Sequence, residues 1–392
     1  MSARTVLLAA GAFAVGTSAY VVSGVLPEIS SELGVSVGAA GQLATAFSLA
    51  YAVGAPIIAT VAGRWDRRAL LVAALLTAAV GNALTALAPT YPLLFAGRIV
   101  AALGAAAYTP AATMVATSFY PPEHRGRAVA IVFGGLTVAL ALGVPAGAIL
   151  GGPLGFRGVF ALVAAAGLLA AIGVRLLVPS VAAPPHVTLG ERFSVLRDRT
   201  VQTVLVVTVF GVLGVMSVYI YLVPLLAAYT GVTGALVSVL LLVYGVGALI
   251  GNNLGGRATD RFGARRTALV VLSVAVVALA TLPLTLPTLP GAVLALLVWS
   301  IATWAFNPPF QSLILEVAGE RAALALSLNA SAIYFGAGLS GVVGGLVVSG
   351  PGVHVLPLVG AAIGLAAVAV FAVSSRAGAG ARDRAPEPAP VG

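Results

Sequence analysis

Charge is the scarcest property of this 392-residue chain. Charged residues make up 8% and hydrophobic residues 60%, against about 25% charged in a typical soluble domain. So few charges could not cover a water-facing surface. The chain therefore reads as an integral membrane protein. Cysteine is absent, which excludes disulfides, thiolate metal sites, iron–sulfur clusters and cysteine nucleophiles. Lysine is absent too, so all 20 basic residues are arginine. That excludes the P-loop lysine of a nucleotide-driven pump and any lysine Schiff base. The histidines, His124, His186 and His354, are scattered outside the apolar runs. No histidine-built metal site and no cofactor is expected.

What the chain does have is long apolar runs. A helix needs about 20 mainly apolar residues to cross a bilayer. Twelve stretches qualify: 5–27, 38–61, 69–88, 91–118, 128–152, 158–178, 201–226, 233–254, 267–287, 291–315, 323–348 and 355–374. Ten of them carry no charge. Arg98 lies well inside the fourth, and Arg175 near the end of the sixth. The runs are continuous and do not alternate apolar with polar, which argues against a barrel. The first could be a signal peptide, but it is long for one and is kept as a span. The expectation is an all-α membrane protein with twelve transmembrane helices.

The arginines set the orientation. With the N-terminus in the cytoplasm and twelve crossings, seventeen arginines fall in cytoplasmic segments and Arg175 sits at a cytoplasmic helix end. Arg157 is then outside and Arg98 is deep in the membrane. The positive-inside rule places both termini in the cytoplasm of a multi-pass inner-membrane protein. It also accounts for the net charge of +9 without nucleic acid.

The polar insert 179–200 divides the chain into an N-terminal six-helix half (1–178) and a C-terminal six-helix half (201–374). A tail, 375–392, reads as disordered from its Ala, Gly, Pro and charge content. The halves echo each other. Asp66, in Gly63-Arg64-Trp65-Asp66-Arg67-Arg68, stands 194 positions before Asp260, in the loop Gly256 to Arg266. The glycines of Gly143-Val144-Pro145-Ala146-Gly147 and Gly151-Gly152 correspond to those from Gly336 to Gly345 at an offset of 193. Six spans per half make this a parallel repeat, and such repeats place a substrate site near the midplane.

These motifs resemble the major facilitator superfamily, and within it the twelve-span drug:proton antiporters. The loop 256–266 matches the pattern G-x-x-x-D-R-x-G-x-R-R at every fixed position, while 63–68 is a shortened version. Arg98 resembles the buried arginine of a second motif, although Gly104 stands two places later than the family pattern has its glycine. Gly143, Pro145, Gly147 and Gly151 resemble the antiporter motif G-x-P-x-G-x-x-x-G. The run Gly24-Val25-Leu26-Pro27-Glu28 resembles bacterial chloramphenicol-efflux and purine-efflux permeases. The resemblance implies the major facilitator fold and, as function, export of a drug or related metabolite by proton antiport with alternating access. Alternatives are export of a purine, nucleoside or sugar, or a non-transporting membrane sensor. An enzyme is not expected.

Site residues follow from the same reading. A charge in the core costs about 2.5–3.5 kcal/mol, so Arg98 is expected to face a partner or a wet cavity, the alternative being snorkelling to the surface; proton coupling is the role that the resemblance implies for it. No acid lies in any membrane core. Glu28, at the end of span 1, is the other coupling candidate, or it simply marks the helix end. Gly63, Asp66, Arg67, Gly256, Asp260, Arg261, Arg265 and Arg266 are expected to form a cytoplasmic gate, or else to fix topology. Gly143, Pro145, Gly147 and Gly151 are expected to pack against span 8 (Gly245, Gly247, Gly251) as a seal between halves. The superfamily lines its cavity with spans 1, 4, 7 and 10. That favours Tyr20, Tyr219, Trp304 and Asn307 as substrate contacts, with Arg98 beside them, from a wider set that includes Gln42, Tyr51, Tyr221, Tyr244 and Tyr334. Aromatics and amides without an acid suit a neutral or weakly polar substrate. The partners expected are a small molecule, protons and lipid; the chain is expected to be a monomer.

Overall fold

A computed structural model describes residues 3–121, 124–183 and 187–382. It is helical throughout, with no strand among the described residues. Helix α1 (Ala3–Tyr20) runs through a 3-10 turn (Val21–Gly24) into the short α2 (Leu26–Leu33). Then come α3 (Val37–Val61), α4 (Arg67–Leu87), α5 (Tyr91–Ser118) and α6 (Arg125–Val138). A π-turn (Ala139–Gly143) leads into α7 (Val144–Leu177). Pro145 has no N–H to give the carbonyl four residues back, and the wider π-turn absorbs that defect.

Eleven continuous stretches are long and apolar enough to cross a membrane, one of them Arg125–Leu177 with 53 residues. Such a helix would be about 80 Å long, more than twice a hydrocarbon core of about 30 Å. It is broken at Gly155, whose φ of 64° and ψ of 173° suit a residue without Cβ. The break separates spans five and six, giving twelve crossings.

The linker holds the one-turn α8 (Leu189–Phe193), opened by a capping box between Thr188 and Glu191. After it follow α9 (Arg199–Ile220), α10 (Leu222–Thr230), α11 (Ala235–Phe262), α12 (Ala264–Thr285), α13 (Leu289–Trp304), α14 (Asn307–Ala318) and α15 (Ala322–Ser349). The last helix, α16 (Leu356–Arg382), carries the backbone into the tail; residues 383–392 lie outside the described residues.

Spans one and seven break alike. Val25 precedes α2 at φ −117°, ψ 18°, and Tyr221 precedes α10 at φ −103°, ψ 22°. Each short helix has proline in its first turn and ends on a left-handed glycine, Gly34 or Gly231. Span ten breaks between α13 and α14, where Pro308 and Pro309 follow Asn307.

The bundle is closed at one end. There a single core joins Val22, Leu26 and Leu43 to Leu222, Leu226 and Leu240. Towards the arginine-rich end the core divides. One part gathers Leu8, Leu71, Leu75 and Val115. The other gathers Val204, Phe310, Ile314 and Phe371.

Candidate functional site

Aromatic rings collect where spans one, seven and ten break. Tyr20, the last residue of α1, stands edge-on to Tyr219 (centroids 6.5 Å apart) and to Trp304 (6.3 Å). Tyr219 tilts against Tyr244 at 4.9 Å, and Tyr244 meets Trp299 edge-on at 5.0 Å. A stacked pair, Tyr51 of α3 and Tyr334 of α15, has its ring centroids 3.5 Å apart. Among the described residues, these ring contacts contain no carboxylate and no arginine. Asn307 begins α14 just after the break, half-buried. The expected Tyr20, Tyr219 and Trp304 are thus brought together. Trp299 was not legible, because it is an isolated ring in an apolar run with no helical-face signal.

Arg98 does not line this cage, contrary to expectation. It is 0% exposed and enclosed within the first six spans. Its guanidinium carbon lies 4.6 Å from the ring centre of Phe47 and 5.3 Å from that of Phe160. One nitrogen donates to the Ser18 hydroxyl at 3.4 Å, and Ser18 donates to Asn82 at 2.8 Å. Nε and Nη2 have no hydrogen-bond partner. Full burial excludes snorkelling. Two cation–π contacts at about 0.5–2 kcal/mol each only match the cost of about 2.5–3.5 kcal/mol for a core charge, before the unpaired donors are counted.

Glu28 lies in α2, just beyond the first span. It is half-buried, and its Oε2 is buried without a donor. The carboxyl carbon is 3.5 Å from where a Cβ on Gly151 would stand. Desolvation raises its pKa, against an opposing bond from its own backbone. Next to it, Glu32 pairs with Arg157 at 2.5 Å, and Arg157 also donates to the Ala88 carbonyl at 2.6 Å.

The motif glycines of span five face span one. A methyl group on Gly143 would meet Thr17, on Gly147 it would meet Val21, and on Gly151 it would meet Val25. Of the span-eight glycines expected opposite them, only Gly245 meets span five, at Ala141; Gly247 and Gly251 pack on Ser300 and Ile301 of α13. Span eight does pack on span five as expected, but on another face, because α1 fills the face that the glycine ladder presents. Pro145 is buried in the same stretch.

At the arginine-rich end, Asp66 caps α4 through Ala69 N–H (3.0 Å) and accepts from the Ser180 hydroxyl and from Val181 N–H (3.0 Å). The Ser180 hydroxyl is the main cause that lowers its pKa. Arg67 is buried and donates to the Gly63 carbonyl at 2.8 Å. Asp260, Arg265 and Arg266 are exposed, Gly256 is half-buried, and Arg261 lies over Phe262 at 5.3 Å. Gly263, left-handed at φ 82°, ends α11. The expected loop 256–266 is helical except at Gly263, and the one ion pair among the described residues is Arg157–Glu32, so no ion pair joins this segment to 63–68 in this conformation.

Comparison with known proteins fits these features. The family model described as Major Facilitator Superfamily matches residues 8–323 and 204–391. An inner membrane transport protein of Escherichia coli K12, YdhP, is 34% identical over 93% of this chain and 94% of its own length. A chloramphenicol resistance protein of Streptomyces lividans is 35% identical over 65% of this chain and 66% of its own. A solved bacterial homologue of the human lysosomal transporter Spinster, in an inward-facing and occupied conformation, superposes with a TM-score of 0.76 at 20% identity. It covers 95% of this chain and 96% of that one. The helical fold, the broken spans and these matches lead to one conclusion: the chain is a multi-pass membrane transporter belonging to the major facilitator superfamily.

Proposed function

We propose that this transporter exports a small, uncharged organic compound from the cytoplasm in exchange for protons, acting as a monomer with both termini inside. The observation that carries the reading is the tyrosine–tryptophan cage at three helix breaks, which offers rings and hydroxyls but no charge. Broken helices supply such sites in transporters. A cage without a carboxylate suits a neutral aromatic compound with hydrogen-bonding groups. The likeness to a chloramphenicol resistance protein supports export of a compound of that kind.

The arginine distribution puts the divided end of the bundle in the cytoplasm. The structure is then inward-facing, ready to load from inside. Glu28 and Arg98 are the coupling residues in this reading. Glu28 is a desolvated carboxyl at the sealed end that holds its proton to higher pH than a free glutamate. Arg98 is a buried charge with unpaired donors. Asp66 with Arg67, and Asp260 with Arg261, Arg265 and Arg266, close the cytoplasmic side in the opposite state. Gly63 lies in the first of these turns, Gly256 lies within the last turns of α11, and the left-handed Gly263 lets the chain turn from α11 into α12. Gly143, Pro145, Gly147 and Gly151 seat span one.

The test is uptake into everted vesicles of chloramphenicol and of compounds matched to it in size but cationic or anionic. The neutral compound should accumulate on energisation and be lost with an uncoupler. Preferential uptake of the charged compounds would contradict the uncharged cage. Trp304→Ala should lower apparent affinity about 5–70-fold, in line with one lost aromatic contact at roughly 1–2.5 kcal/mol.

A further inference from the structure

Tyr221 sits in the break between α9 and α10 and is 0% exposed. Its hydroxyl donates to the Gly341 carbonyl at 3.0 Å and lies 3.3 Å from the Gly38 carbonyl. Gly38 belongs to α3 and Gly341 to α15, so one phenol ties together helices from opposite ends of the sequence. Gln42 of α3 completes the seam by donating to the same Gly341 carbonyl at 2.8 Å.

The walls around the ring are glycine. A Cβ on Gly41 would overlap the Tyr221 hydroxyl, and one on Gly344 would stand 2.5 Å from a ring carbon. On Gly345 it would stand 3.0 Å from the hydroxyl oxygen. The ring fits because three side chains are missing. At the matching break of span one stands the shorter Val25, which packs against Gly151 of α7 in its own half. Tyr221 is long enough to cross α15 and reach α3.

Position links this contact to the cage. Tyr219 and Tyr221 are two residues apart at the end of α9, about 200° around a helix. Tyr219 faces the aromatic cage and Tyr221 faces the glycine groove. A compound that displaces Tyr219 therefore acts on the residue that holds the sealed end.

We propose that Tyr221 is the positioning residue that locks the sealed end of the transporter, and that opening that end requires the ring to leave its glycine groove. The lock rests on the transporter reading only for its use in a cycle; its effect on shape is measurable without substrate.

The chain has no cysteine, so a pair of introduced cysteines can be spin-labelled without background. Ser31→Cys on α2 and Thr233→Cys before α11 place labels on the two sides of the sealed end. In proteoliposomes the unsubstituted lock should give one short distance. Tyr221→Phe keeps the ring and removes its donor, and should raise the long-distance population roughly three- to tenfold. Gly41→Ala attacks from the opposite wall and should shift it the same way. Tyr229→Phe, on α10 but bonded to the His354 carbonyl, should leave the distribution unchanged. Unaltered distances in both Tyr221→Phe and Gly41→Ala would overturn the lock, whether or not the protein exports anything. Shifted distances in a protein that exports nothing would leave the lock standing and remove the export reading.

Discussion

Single residues carry the sharpest expectations. Arg98 was visible in the sequence as the one charge deep in a span, but its setting was not. It is boxed by Phe47 and Phe160, rings that sit far from it along the chain. Replacing Arg98 with Ala should abolish gradient-driven efflux and leave membrane insertion intact; undiminished efflux would remove it from the mechanism. Glu28 was visible only as an acid at a helix end. Its buried, unpaired oxygen beside Gly151 appears only in three dimensions. Its raised pKa means that the proton is held as pH rises through the ordinary glutamate range and is lost only above it. Glu28→Gln should therefore flatten the pH dependence of export, and an unchanged profile would exclude it as carrier. Asp66 has the opposite sign. Its pKa is lowered, chiefly by the Ser180 hydroxyl. The stability it contributes is present above the unfolded carboxylate value and is lost as pH falls through the lower folded one. Thermal stability in detergent should fall at acid pH in the native chain, and that fall should be smaller in Asp66→Asn.

At the scale of elements, the spans were legible because lipid forces every crossing into a continuous apolar helix. The turn between spans five and six was legible too, although Gly155 alone makes it, within an otherwise unbroken helix. Helix partners were not legible. The span-five glycines declare close packing but not with what, since small residues admit any neighbour. They admit α1, through Thr17, Val21 and Val25. Gly147→Leu should push Val21 aside at a cost of about 1–3 kcal/mol from overpacking. It should lower melting temperature, whereas the same change at open Gly126 should not. Gly245 is the one span-eight glycine against span five, and a Cβ there would stand 2.3 Å from the Ala141 Cα, so Gly245→Leu should lower melting temperature more than Gly147→Leu, and a smaller loss would contradict that close approach.

For the whole molecule, charge scarcity marks a membrane protein, the placement of its arginines is the basis of the proposed orientation, and the core pattern shows which end is closed. A shared core lies at the end of α2 and α10 and divided cores at the arginine-rich end; in the proposed orientation that open end faces the cytoplasm. The most direct measurement is efflux from a host lacking its own pumps, with intracellular chloramphenicol and related neutral aromatics followed before and after an uncoupler. A proton-driven exporter should hold the compound below the level in cells without the protein, and the uncoupler should erase the difference. An equal level in both cells, or a difference that survives the uncoupler, would contradict proton-coupled export.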